Sequence, residues 1–186
     1  MEKKPFHWWF SSVAPSPVQE TVEALAQRGN AEAQFSLGLR YANGKGEALD
    51  YAQAEHWYLK AADQKHALAH FNLAMMYANG QGMPSDRAKS EVWIQKAADL
   101  GDAGAQYSLG AIHHRSIQAG LSEDASQSRI NAYKWFRLAA AQGYQGAETA
   151  CDMVNLDMTH EDVAEGGRRI AAFKSTQTDL PQAAQF

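Results

Sequence analysis

Apolar residues fall every fourth position through Ala33, Leu37 and Tyr41, which predicts an α-helix with one apolar face. Asn43-Gly44-Lys45-Gly46 then breaks the pattern, because glycine reaches the left-handed conformation that stops a helix without a Cβ penalty. A second apolar series, Ala54, Trp57 and Ala61, follows Asp50, a residue type that caps helix N-termini. The unit is a helical hairpin.

The same pattern returns. Ala33-Gln34-Phe35-Ser36-Leu37-Gly38-Leu39-Arg40-Tyr41-Ala42-Asn43-Gly44 aligns with Ala69-His70-Phe71-Asn72-Leu73-Ala74-Met75-Met76-Tyr77-Ala78-Asn79-Gly80, 36 residues on. Trp57-Tyr58-Leu59-Lys60-Ala61-Ala62-Asp63 aligns with Trp93-Ile94-Gln95-Lys96-Ala97-Ala98-Asp99 at the same offset, after Asp86 and Ser90. A third copy starts at Ala105-Gln106-Tyr107-Ser108-Leu109-Gly110, but its second half, from Trp135, lies 42 residues after Trp93, which places six extra residues between Ser116 and Ser128. Glu23 to Asn30 reads as a half unit and Ala147 to Ala150 as the start of a degenerate fourth. One hairpin cannot bury its apolar face, whereas stacked hairpins can. The small residue shared by Gly38, Ala74 and Gly110 predicts close helix contact, and the tryptophans fill the gaps between hairpins.

Composition changes this picture little. Of 186 residues, 45% are apolar and 20% charged, an ordinary globular balance. A net charge of −4 offers no basic field and argues against nucleic-acid binding. No run approaches the roughly 20 apolar residues of a membrane helix. One cysteine, Cys151, makes no intramolecular disulfide, and the first residues lack a signal-peptide pattern, so the expected compartment is the cytoplasm, with the periplasm as the alternative.

The unit A-x-x-x-L-G-x-x-Y-x-x-G-x-G followed by D-x-x-x-A-x-x-W-Y-x-K-A-A resembles the SEL-like repeat, a relative of the tetratricopeptide repeat, from Ala31 to Gly143. Ala74, Ser90 and His113 depart from it, and the glycine pair is absent after His114-Arg115. The resemblance implies an all-α fold, a right-handed α/α superhelix or solenoid of about three repeats with terminal caps. An aromatic extension spans 1–17, a half repeat 18–30, repeats 31–66, 67–102 and 103–144, a C-terminal cap 145–173 and a flexible tail 174–186. It also implies a concave surface lined by the first helices. Carried over by position, that surface takes Phe35, Leu39 and Asn43, then Phe71, Met75 and Asn79, then Tyr107, Ala111 and Arg115. Aromatic and methionine side chains suit adaptable peptide binding, and the asparagines suit an extended peptide backbone. Phe35, Phe71 and Tyr107 read equally as packing between helices.

Other features read as structural. His66 and His70 straddle a turn between helices, and His113 and His114 point to different faces, so no metal is expected. Cys151 has no base placed beside it and reads as a buried small residue. The Gly44-x-Gly46 and Gly80-x-Gly82 pairs lack the preceding strand and following lysine of a phosphate loop. Asp162, Glu165, Arg168 and Arg169 read as a solvated helix face that Gly166-Gly167 bends or breaks, and the chain after Lys174 as a frayed tail. Phe6-His7-Trp8-Trp9-Phe10 is a self-packed strap, a docking peptide or a membrane-surface anchor, its short length favouring the strap, and Pro15-Ser16-Pro17 separates it from the first helix. The expected function is a non-catalytic adaptor or scaffold that binds a protein or peptide on its concave face, without cofactor and with self-association open through Trp8 and Trp9. The alternative is a hydrolase of cell-wall or β-lactam-like compounds, which needs a nucleophile beside a base that Ser36, Ser108 and Cys151 do not show.

Overall fold

A computed structural model of the chain describes residues 21–46 and 48–178. Within them lie nine helices and no strand: α1 (Val22–Gln27), α2 (Ala31–Asn43), α3 (Tyr51–Asp63), α4 (Ala67–Asn79), α5 (Arg87–Asp99), α6 (Ala103–Gln118), α7 (Ala125–Ala141), α8 (Ala147–Asn155) and α9 (His160–Thr178). The aromatic segment 6–10, the Pro15-Ser16-Pro17 separator and the end of the tail fall outside the described residues.

Helix ends follow the local chemistry of the repeat. Asp50, Asp86 and Asp124 cap α3, α5 and α7, each carboxylate accepting from the backbone N–H three residues on. Asn30 and Asp102 do the same for α2 and α6, and the Nδ1 of His66 does it for α4. Gly44 and Gly80 end α2 and α4 at φ of 64° and 67°. The third repeat solves its missing glycine pair differently. α6 and α7 run 16 and 17 residues, against 13 in each corresponding helix before them. The insertion therefore lengthens two helices rather than a loop, and Gly120, at φ +65°, makes the turn.

Each hairpin packs its two helices together and its neighbours bury what remains. A Cβ on Gly38 would lie 2.6 Å from the Tyr58 ring, and one on Gly110 2.6 Å from the Phe136 ring. In the middle repeat the smaller Ile94 stands where Tyr58 and Phe136 stand in the others, and Ala74 replaces the glycine. The small residue is thus matched to the bulk opposite it. Trp93 packs against the cores on both sides of its repeat, and Trp135, 4% exposed, meets Phe173 of α9 edge-on at 5.5 Å.

A polar latch with one buried and one exposed glutamine ties consecutive hairpins. The Gln34 amide donates to the Ala26 carbonyl (3.1 Å), while the Gln64 amide donates to Gln34 Oε1 (2.7 Å) and to the Gly29 carbonyl (2.9 Å). Gln106 and Gln142 repeat the arrangement on the carbonyls of Ala98 and Gly101. Between them, His70 and Leu100 occupy the two glutamine positions. His70 is buried, donates from Nδ1 to the His66 carbonyl (3.0 Å) and meets Trp93 edge-on.

The C-terminal cap differs from the sequence reading in three respects. α9 is unbroken through Gly166-Gly167, because Gly166 is a contact point: a Cβ there would lie 2.6 Å from the Tyr133 ring. The helix also runs on past Lys174 to Thr178, where Gln177 donates to the Asp99 carbonyl. The charged run is only partly a solvated face. Asp162, 8% exposed, accepts from Ser126 of α7 (2.7 Å) and closes a reciprocal cap with Thr159, while Arg169 donates to Asn131 (2.8 Å) and Gln127 (2.6 Å). These residues fasten α9 to α7.

Candidate binding surface

The first helices of the repeats, α2, α4 and α6, supply most of two grooves. The smaller groove, of about 150 Å³, lies between α2 and α4 and is lined by Leu39, Asn43 and Met75 together with Tyr58, Asn72 and Gln81. Met75 is 39% exposed, an unbranched apolar side chain standing free on this face. The larger groove, of about 460 Å³, lies between the second and third repeats. Tyr107, Ala111 and Arg115 line one wall, and Ile94, Arg87 and Glu91 of α5 line the other.

Six of the nine expected surface residues therefore line a groove, three in each. The other three sit elsewhere. Phe35 is 7% exposed, stacked on His66 at 4.5 Å and tilted on Tyr58, so it supports the first groove from within the core. Phe71 is half-buried against the second core, its ring 3.5 Å from where a Cβ on Gly104 would sit. Asn79 is exposed at the end of α4 and lines neither groove. Ile94, Arg87 and Glu91 are not among the expected residues, because they lie on a second helix and reach the groove only through the stacking of two repeats.

The two grooves differ in charge. No charged side chain lines the first. At the second, Arg87 Nε donates to Glu91 at 3.0 Å, while the Arg115 guanidinium has no hydrogen-bond or ion-pair partner among the described residues. His113, on the same helix, is held below its ordinary pKa by burial, with Glu91 opposing that shift. A depression of about 540 Å³ lies at the inter-repeat turns, where Gln64 is held in the latch and His66 pairs with Glu32 at 3.0 Å.

The surface holds no evident reaction centre among the described residues. Burial pushes the Cys151 thiol up to about 11, so it stays protonated. Ser108 donates its hydroxyl to the Gly104 carbonyl (2.8 Å), not to a base. Among the described residues no cluster of three or more His, Cys, Asp or Glu gathers for a metal: His66 caps a helix, His70 bonds to backbone and His114 pairs with Gln118 at 2.9 Å. No described helix is long and apolar enough to cross a membrane.

The Sel1 repeat family model matches residues 31–66, 67–102 and 103–144. Among solved structures, a Sel1 repeat protein from Oxalobacter formigenes is 34% identical, with a TM-score of 0.61 over 70% of this chain and 94% of that one. A protective antigen present in uropathogenic Escherichia coli strains and displaying an SLR fold is 21% identical, with a TM-score of 0.47, over 89% of this chain and 44% of that one. No curated protein matches.

Proposed function

This chain belongs to the Sel1 repeat family, and from that premise we propose that it is an adaptor that holds a peptide or protein segment along the face lined by α2, α4 and α6. Sel1 repeat proteins are generally protein-interaction modules and typically non-catalytic scaffolds. The observation that carries the choice of face is the pair of grooves on it, with Met75 exposed between packed hairpins. A flexible thioether of this kind adapts to varied apolar partners. The rigid hairpins hold the grooves open before a partner arrives, which lowers the ordering cost of association.

The test compares capture of a bound protein by the intact chain and by three folded variants. Met75→Arg and Asn43→Arg place a bulky charge at exposed positions of the first groove. Val92→Arg does so at a residue 56% exposed on α5 and outside both grooves. Loss of the same captured protein with the first two and retention with the third is the expected result. Retention with the first two and loss with the third would move the binding site to the outer face.

A further inference from the structure

We propose that the larger groove, between the second and third repeats, takes an extended peptide segment in which an acidic side chain stands next to an apolar one. The proposal rests on the binding face assigned above and specifies what that face selects.

The groove offers two kinds of contact side by side. Its inner lining is mostly apolar: Ile94, Ala111, Ile112 and the ring of Tyr107, interrupted by Ser90 and by Ser108, whose hydroxyl already donates to the Gly104 carbonyl. At about 460 Å³ it falls in the size range of sites that enclose a small ligand or a side chain or two. Its rim is basic. Arg87 and Arg115 face it, against one acid, Glu91, that already accepts from Arg87 Nε. Arg115 is exposed and carries five donors with no acceptor among the described residues. On a chain with net charge −4, this local positive excess runs against the overall field and draws a carboxylate to one place. A planar guanidinium also takes a carboxylate through two parallel hydrogen bonds, which fixes direction as well as charge.

The third repeat's insertion holds Arg115 in place. In the first two repeats the corresponding residues, Asn43 and Asn79, are the last of their helices, followed at once by Gly44 and Gly80. α6 continues to Gln118, so Arg115 stands within the helix and its own carbonyl accepts from Ala119. The longer α6 and α7 rise about 5 Å beyond the level of the earlier helices, by roughly 1.5 Å for each added residue. The six extra residues thus fix the arginine on a rigid element beside this mostly apolar lining. The first groove, which has no such extension, has no charged lining.

The test uses the full chain as bait for short random segments displayed between fixed flanks on a carrier, so that no free C-terminus is offered. Enriched segments should share Asp or Glu adjacent to a Leu, Ile, Met or aromatic residue. An enriched segment should lose affinity about tenfold when its acid is changed to the amide, the scale of a charge-assisted hydrogen bond. With Arg115→Ala that difference should disappear, and with Arg115→Lys part of it should return. Because Arg115 is exposed, the variants should keep the wild-type circular dichroism spectrum. Segments enriched without an acidic preference, or an acid-to-amide difference unchanged by Arg115→Ala, would overturn this inference and leave the binding face standing. No enrichment at all would overturn both.

Discussion

Gly110→Ala should destabilise the protein, although alanine is the better helix former. Residue 110 lies inside α6, where alanine would gain about 1 kcal/mol of helix propensity. The added Cβ, however, would lie 2.6, 2.7 and 2.9 Å from three atoms of the Phe136 ring. That ring is 2% exposed and packed among Ala132, Cys151 and Tyr107, so it has nowhere inexpensive to move. Overpacking a core of this kind costs about 1–3 kcal/mol, and three contacts under 3.0 Å place this case toward about 2–3 kcal/mol, so a net loss of roughly 1–2 kcal/mol remains after the propensity gain of about 1 kcal/mol. The chain already contains the compensating pair, Ala74 with Ile94. Phe136→Ile alone should cost about 1–2 kcal/mol through the cavity it leaves, but combined with Gly110→Ala the two losses should not add. Urea unfolding followed by circular dichroism, run as a double-mutant cycle, reads the coupling, expected at about 1–2 kcal/mol in favour of the pair. A Gly110→Ala variant as stable as the parent, or a double variant with purely additive losses, would refute the idea that ring size and small residue are matched.

Three further outcomes follow from the same structure. Lys65 adopts φ 63° at the turn position where the other repeats place Gly29, Gly101 and Gly143, so Lys65→Gly should raise the urea midpoint, by up to about 1 kcal/mol of stability. Burial holds the His70 and His113 pKa values below their ordinary value, so the unfolded state takes up protons first as pH falls through about 6.5. Stability should be full above that pH and decline toward pH 5.5, and His70→Gln, which copies Gln34 and Gln106, should flatten part of the decline in urea midpoints measured at several pH values. Cys151, buried with its thiol pushed up to about 11, should react with a disulfide reagent at pH 8 far more slowly in the folded protein than in urea; equal rates would contradict its burial.

The hairpins were legible because each rests on short-range chemistry. Aspartate caps, glycine stops and apolar residues at helical spacing act within a few positions, and the 36-residue period repeats the message. The six-residue insertion was visible as a change of period, but whether it formed a loop or lengthened helices depended on Gly120 replacing the missing turn. Gly166 was misread for a related reason. In the sequence it is a helix breaker, and only the Tyr133 ring opposite it shows why a glycine stands there. The charged run around Asp162 looked solvated because its partners, Ser126, Gln127 and Asn131, come from a helix more than thirty residues away. The glutamine latch leaves a trace in the sequence, since Gln34 and Gln106 stand two repeats apart in register, but His70 between them breaks the pattern. On the candidate surface, six residues expected from position within the repeat line the grooves, and Phe35, Phe71 and Asn79 do not. The basic rim needed the stacked neighbour, because Arg87 belongs to α5 while Arg115 belongs to α6.

The most direct measurement of the binding face is methyl NMR on the full chain, with labelled methionine, isoleucine, leucine and valine methyl groups, titrated with a segment enriched in the display selection. Shifts concentrated at Met75, Ile94 and Ile112, with Val92, Met153 and Leu156 unmoved, are the predicted result. Shifts at Val92, Met153 or Leu156 with the groove methyls unmoved would contradict it and put the partner on another face.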